Sequence, residues 1–253
     1  MTLLRINNRI LKRNGTLLTG AVVPVDPYNP LGLPPYTIRC KFADNRTPNV
    51  PATATMSQYS VSPNIWDITY TNTDWTLLLQ DNVISLLEVL GANTSGVTVM
   101  KQMFYYCQNM SSVALFDTRN VTTMEQMFIH CDNLLSVPRY DTGNVTNIVN
   151  MFYYCQTLTS LPLFDLSSVT SADYAFMDCK NLKNLPLFDT SSMTSVRSMF
   201  HNCNNVESGA LALYNQMSSQ ANPPSDHLFT FRYCGSDTTT GAAELAQIPS
   251  NWK

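Results

Sequence analysis

The sequence predicts an α/β solenoid, with a short strand plus a helical turn in each 24-residue coil, preceded by a small β-rich N-terminal module. Two observations predict the solenoid. A phenylalanine recurs every 24 residues, and a cysteine follows each one three positions later. The two series are Phe104, Phe128, Phe152, Phe176 and Phe200, and Cys107, Cys131, Cys155, Cys179 and Cys203. Self-similarity at a fixed period is the sequence signature of repeat architectures.

The rest of the unit keeps the same register. It reads M-F-x-x-C-x-N-L-x-x-L-P-L-F-D-T-S-x-V-T-x-M-x-x. The stretch Leu158 to Phe164 is typical of a short edge strand, where proline is tolerated. Val169, Ala172 and Phe176 fall at helical spacing. We therefore expect equivalent side chains to form columns about 4.8 Å apart around one elongated interior.

The ends of the array differ from its middle, as capping units require. Leu86, Val89 and residues 93–100 align with half a unit, and the sequence around Gln80 and Val83 is read as an N-terminal capping turn. At the other end residues 231–234 repeat F-x-x-C after a seven-residue insertion that includes residues 222–225. Residues 242–247 are predicted to form a closing helix that Pro249 stops.

The predicted division has three parts. Residues 1–35 form an N-terminal arm, with a hairpin turn at residues 13–15 and an extended Pro-rich linker. Residues 36–75 form the β-rich module, with strands at 36–42 and 65–71. Residues 76–253 form the solenoid with its caps. The alternative for the N-terminal part is a disordered leader.

Composition excludes several classes of partner. Charged residues make up only 13% of the chain and the net charge is −3, so nucleic acid and anionic membranes are not expected partners. Polar residues interrupt each apolar stretch, so neither a cleaved signal peptide nor membrane insertion is predicted. We expect synthesis in a cytosol.

The repeated cysteines and aspartates each allow two interpretations. Neighbouring cysteines would lie within disulfide distance, but parallel apolar columns favour a ladder of buried free thiols. Asp117, Asp141, Asp165 and Asp189 could line a calcium ladder, although capping of turn amides explains them without a metal. No metal or cofactor site, phosphate-binding loop or catalytic constellation is found, so an enzyme is not predicted.

Binding is predicted from positions that vary within the strict repeat. The two residues between Phe and Cys differ from unit to unit, and so does the residue after the proline. Tyrosine provides contact area at low entropic cost. The candidate ligand-binding residues are Tyr105, Tyr106, His130, Arg139, Tyr153, Tyr154 and His201. The alternative is that Tyr105 and Tyr153 line the edge of the core. Leu115, Leu163 and Leu187 form a candidate strip for self-association.

These residues resemble the BspA-like leucine-rich repeat family, whose units read M-F-x-x-C-x-x-L-x-x-L-P-x-F-D-T-S-x-V-T-x-M. The resemblance covers about residues 83–206, with residues 231–234 as an outlying copy. It implies a leucine-rich-repeat-type solenoid without enzymatic activity. Members are mostly bacterial surface proteins implicated in adhesion, and residues 209–249 look like the end of phage-associated members.

The resemblance and the missing signal peptide together favour a phage or prophage virion protein, either a fibre or a decoration protein. Its expected partners are other virion proteins, through the N-terminal region, and a bacterial surface glycan or protein. A homo-oligomer is expected. The alternative is a BspA-like adhesin on the bacterial cell surface. A glycan hydrolase is disfavoured because no pair of placed carboxylates stands out from the repeat.

Overall fold

The fold is mixed α/β, as predicted, and combines a five-stranded sheet with a stack of turn-rich coils and two short helices. It is known from a computed structural model that describes residues 4–6, 9–11, 26–43, 47–61, 63–76, 78–79, 82 and 85–253. The predicted capping residues Gln80 and Val83 lie outside these ranges.

Two strands near the N-terminus form a separate antiparallel pair. These are β1 (Leu4–Ile6) and β2 (Arg9–Leu11), with Ile6 opposite Arg9. The predicted turn at residues 13–15 lies outside the described residues. The prediction of an extended linker was wrong for residues 26–35, which contain turns. Asn29 holds that segment by accepting a hydrogen bond from the Leu33 amide at 2.8 Å.

The sheet has the order β4-β5-β3-β6-β7. Its strands are β3 (Thr37–Phe42), β4 (Thr55–Ser60), β5 (Ile65–Thr69), β6 (Leu86–Asn93) and β7 (Ser112–Val113). Strands β3 and β5 confirm the two predicted strands. Alternation in β3 buries Ile38, Cys40 and Phe42. On its other face Arg39 pairs with Asp67 and Lys41 with Glu88, each at 2.6 Å.

Strand β6 joins the sheet to the repeats. It pairs antiparallel with β3 and parallel with β7, which belongs to the first full unit. The sheet therefore continues past residue 75, into the region that the sequence assigned to the repeats. The first coil already begins at Asp74, which forms a parallel bridge to Val99, and the Trp75 amide donates to the Val99 carbonyl at 2.8 Å.

Successive units lie one on another and are joined by backbone hydrogen bonds at a constant offset. In one unit the amides of Phe128 and His130 donate to the carbonyls of Met151 and Tyr153, each at 2.9 Å. The same pattern recurs in the units on either side. Isolated parallel bridges form a column through Val99, Thr123, Asn147, Ser171 and Ser195. The backbone polar groups of a coil thus find their partners in its neighbours.

The local structure within a unit corrects the prediction of a strand and a helical turn. Residues 158–164 form no strand, although β7 holds the equivalent position in the first full unit, and most coil-to-coil bridges instead lie just after the V-T pair. The predicted helical turn is a run of tight turns with positive φ at two positions per unit, such as Asn150 (55°) and Tyr154 (65°). A left-handed residue every four positions is incompatible with an α-helix.

The interior is a column of parallel rings. The centroids of Phe128 and Phe152 are 5.2 Å apart with planes 7° from parallel, and those of Phe152 and Phe176 are 5.6 Å apart at 11°. The column continues to Phe104 at one end and Phe231 at the other. All of these rings are fully buried. Equivalent side chains are therefore aligned in columns, as the period predicts.

Two helices and a final turn close the C-terminal end. Helix α1 (Ala210–Ser218) lies between the last two F-x-x-C turns, and α2 (Thr239–Gln247) confirms and extends the predicted closing helix. Thr238 caps α2 by accepting from the Gly241 amide at 3.0 Å. A 3₁₀ turn (Ser250–Trp252) completes the cap, and its Trp252 carbonyl accepts from the Phe231 amide at 2.9 Å.

We expect Phe152→Ala to lower the free energy of unfolding by about 3–5 kcal/mol, because it opens a cavity between two stacked rings. Urea denaturation followed by circular dichroism measures the change. Leu163→Ala is the matched control, since Leu163 is 50% exposed and should cost less than about 1 kcal/mol. Equal losses in the two variants would contradict the ring column as the core.

Candidate functional site

Five of the predicted binding residues lie together in a cluster, hereafter the aromatic cluster, formed by Tyr105, Tyr106, His130, Tyr153 and Tyr154. The His130 ring is between two tyrosine rings, with centroids 4.4 Å from Tyr106 and 4.5 Å from Tyr154. Tyr105 packs on Tyr106 at 4.6 Å, and Tyr153 meets His130 edge-on at 5.7 Å. Aromatic pairs at these distances add to stability beyond their buried area.

The coil geometry places three of these residues on left-handed backbone. Tyr106, His130 and Tyr154 have φ of 59°, 55° and 65°. Asp178 and Asn202 take the same position in later coils, with φ of 60° and 59°. Asparagine and aspartate adopt this conformation readily, whereas a tyrosine there is unfavourable. The backbone therefore does not explain the tyrosines.

The side chains of the cluster are half-buried. This burial agrees in part with the alternative that Tyr105 and Tyr153 line the edge of the core. Because the ring faces are used in mutual stacking, ring edges and phenol hydroxyls are what remains for a ligand. Burial raises the pKa of Tyr106, with a further contribution from its neighbour Tyr105. The Tyr106 hydroxyl can therefore donate a hydrogen bond at neutral pH.

His130 of the cluster and Asp132 form an unsatisfied polar pair. His130 Nδ1 and Asp132 Oδ1 are 3.5 Å apart. Both atoms are buried, and neither has a hydrogen-bond partner among the described residues. Burial raises the pKa of the Asp132 carboxyl, and the nearby His130 partly offsets that rise.

Arg139 and His201 lie outside the aromatic cluster. Arg139 is exposed. The pKa of the Asp165 carboxyl in the next unit is lowered mainly by hydrogen bonds from Ser167, and the positive charge of Arg139 lowers it further. His201 lies edge-on to Phe229 at 6.3 Å and to Tyr233 at 6.0 Å, near the C-terminal cap. The predicted site residues thus fall at three places on the surface.

The repeated cysteines have a structural role that their spacing did not reveal. All seven are buried and free. In five successive units the thiol donates to a backbone carbonyl of the preceding coil, as Cys155 does to Phe128 at 3.0 Å and Cys203 to Phe176 at 3.1 Å. Burial raises the pKa of each of these thiols. A small side chain with a weak donor meets both requirements of the position.

The aspartates cap turns, as predicted. Their carboxylates accept from the amide two residues later, at 3.3 Å from Gly143 to Asp141 and 2.9 Å from Ser191 to Asp189. Hydrogen bonds from the hydroxyl and then the amide of Ser191 lower the pKa of the Asp189 carboxyl. Within the described part of the chain, no three His, Cys, Asp or Glu side chains are grouped as metal ligands would be. Nor is any described helix long and apolar enough to cross a bilayer.

The candidate strip for self-association is partly exposed. Leu163 and Leu187 are 50% and 59% exposed, whereas Leu115 packs against the core. Arg139 takes the equivalent position in the unit between Leu115 and Leu163. Self-association through this strip stays a prediction.

The stacked coils, with a column of phenylalanine rings in their interior, define a repeat protein. Comparison with known proteins agrees with that class. The family described as "Mycoplasma protein of unknown function, DUF285" matches residues 80–185 and 129–220. Because these matches together span residues 80–220, which is more than half of the chain, the chain belongs to this family. The match supports a BspA-like repeat family.

One similar solved structure is the crystal structure of a leucine-rich repeat protein from Eubacterium ventriosum. The two chains are 17% identical, and the similarity covers 58% of this chain with a TM-score of 0.38. This chain spans 42% of the length of that protein. No curated protein matches the chain.

We expect His201 to titrate below its ordinary pKa of about 6.5, because burial lowers the pKa more than Asp178 raises it. The unfolded chain then binds a proton more readily than the folded chain. The free energy of unfolding should therefore fall as pH drops below about 6.5. Urea denaturation at several pH values measures this, and His201→Gln should flatten the dependence. An unchanged pH dependence of the free energy of unfolding in the variant would contradict the attribution of this dependence to His201.

Proposed function

We propose that this chain is a non-enzymatic recognition protein, in which a leucine-rich-repeat-type solenoid presents the aromatic cluster to a bacterial surface. One observation carries the proposal. Tyr106 and Tyr154 occupy a left-handed backbone position that Asp178 and Asn202 fill in neighbouring coils. Since the backbone disfavours tyrosine there, a role for the side chain itself is the reason to keep it.

The chemistry of the cluster favours contact with a ligand over catalysis. Rigid tyrosines expose amphipathic edges, and their positions are held by stacking on His130. Tyrosine is enriched among residues that dominate binding energy. A catalytic role would require differently placed acid, base or nucleophilic groups, and the repeated coils offer the same groups again and again.

Binding to intact bacterial cells tests the proposal. The variant is Tyr106→Asn with Tyr154→Asn, because asparagine suits the left-handed backbone and already stands at Asn202. Its free energy of unfolding should change by less than about 1 kcal/mol, since relief of backbone strain offsets lost stacking. Binding measured by flow cytometry over a panel of cells should weaken by at least about tenfold.

The matched control is Tyr59→Ala. Tyr59 is 62% exposed on the edge strand β4, where its ring covers the Arg39 guanidinium at 3.7 Å. The control should bind cells as the unmodified chain does. Equal binding by the doubly substituted variant and the unmodified chain would remove the aromatic cluster from the recognition surface.

We further propose that the chain acts within a phage or prophage virion, as a fibre or decoration protein attached through its N-terminal region. The resemblance to phage-associated repeat proteins supports this location. Particles purified on a density gradient should contain the chain at a constant ratio to the capsid protein, as measured by mass spectrometry. Recovery only from surface-labelled cells would instead favour the adhesin.

A further inference from the structure

Strand β4 is a free edge of the five-stranded sheet. Among the described helices and strands it contacts β5 alone. The strand at the other side of the sheet, β7, belongs to the first full unit and is followed by the stacked coils, whose backbone groups pair with their neighbours. Within the described ranges, each chain therefore has one long sheet edge that nothing covers.

The backbone of β4 has hydrogen-bond partners on one side only. It pairs with β5 in regular register from Thr55 opposite Thr69 to Gln58 opposite Trp66. Apart from this ladder, no amide or carbonyl of Thr55–Ser60 is hydrogen-bonded to another described residue. The outward amides and carbonyls of an edge strand are a ready site for pairing with a further strand. The chemistry of this edge therefore selects an extended polypeptide as its partner.

The strand also lacks the features that usually keep a sheet edge from pairing, which are charged residues, prolines, bulges or a covering segment. Thr55–Ser60 contains no charge and no proline, and its one register shift lies near its end, between Gln58 and Ser60. No side chain of the strand is buried. Met56 is 39% exposed although it lies opposite the fully buried Ile68. An additional strand at this edge would cover Met56 and complete the sheet.

The absence of charge favours a second copy of this chain as the source of that strand. Residues 47–66 contain no charged side chain, although the chain has 15 basic and 18 acidic residues. Two copies of one strand bring like side chains close together, so an uncharged strand pairs with itself without electrostatic repulsion. A partner of different sequence is usually steered and selected by complementary charges, which this edge does not offer.

We propose that the chain forms a two-fold symmetric dimer, in which the β4 strands of two copies pair antiparallel and join the two sheets into one. Contact of a surface with its own counterpart is the commonest arrangement in homo-oligomers. Because each chain has one free edge, the pairing is complete at two copies and does not continue into a fibre. The dimer does not depend on what the aromatic cluster binds.

Charge placed in the middle of β4 tests the dimer. In a symmetric antiparallel pair centred there, Gln58 lies within about 8 Å of its counterpart. Gln58→Lys and Gln58→Glu should each lower the association constant at least about tenfold, because like charges then face each other. An equal mixture of the two variants should recover dimers, since lysine then faces glutamate. Sedimentation velocity from about 1 to about 200 µM measures this, because a small interface is expected to be of micromolar affinity.

Two controls locate the interface. Gln247→Lys introduces the same charge at an exposed glutamine of α2, which has no contact with the sheet, and should dimerise as the unmodified chain does. Tyr59→Ala should also dimerise, because the pairing is through the backbone and the Tyr59 ring lies over Arg39. The circular dichroism spectra of both Gln58 variants should match that of the unmodified chain, so that a loss of dimers is not a loss of fold.

Three outcomes would overturn the proposal. A chain that stays monomeric over the whole concentration range would leave the edge to a strand of another protein. Dimers that persist in Gln58→Lys would place the interface elsewhere, and so would a mixture that recovers none. The result is separable from that of the cell-binding experiment, because Tyr106→Asn with Tyr154→Asn leaves β4 unchanged and should dimerise even if cell binding is lost.

Discussion

The backbone pairing between neighbouring coils is the constraint on which the rest of the structure depends. Amides of one coil donate to carbonyls 23 residues later, as from Phe152 to Ala175 at 2.7 Å. A buried amide without a partner would be costly, so each coil must keep its length and its turns. The insertion before residue 231 keeps this backbone pairing. Although α1 and its loop lengthen the coil, the Phe200 amide still donates to the Thr230 carbonyl.

The same register explains why the interior is so uniform. Once the coils are paired, equivalent side chains must lie above one another, and flat rings fill such a column better than branched side chains. The cysteine follows from this arrangement too. Its position is fully buried yet faces a carbonyl of the preceding coil, so a small apolar residue with a weak donor is favoured, as Cys179 shows with Phe152. Threonine side chains also donate hydrogen bonds to a neighbouring coil. The Thr142 hydroxyl donates to the backbone carbonyl of Asp165 at 2.6 Å.

The period was enough to predict the columns of Phe and Cys and the aspartate caps, because each depends on local chemistry repeated at fixed spacing, whereas the closing helix was predicted from its own residues and the stop at Pro249. It could not predict the backbone between those points. Val169, Ala172 and Phe176 have helical spacing, yet hydrogen bonds to adjacent coils outcompete those within a helix, and positive φ at Tyr174 interrupts it. Strand β4 was missed because Thr55–Ser60 is exposed and carries no alternating apolar pattern. Sequence variation located the aromatic cluster, but not the separation of Arg139 and His201 from it. Arg139 lies after the proline of the coil that contains His130, and His201 lies two coils beyond Tyr153.

A strict repeat poses a problem for specific recognition, since identical coils offer identical surfaces. This chain departs from uniformity in two ways. Side chains change at positions that pairing leaves free, so that Tyr106, His130, Tyr154 and Asp178 follow one another on the same backbone conformation. The cap then ends the series with helix α2 packed beside the last coil, which adds groups that no internal unit can supply. The paired backbone and the stacked rings stabilise the fold and offset the energetic cost of tyrosines in the left-handed conformation. The variable surface can therefore change without disturbing the core.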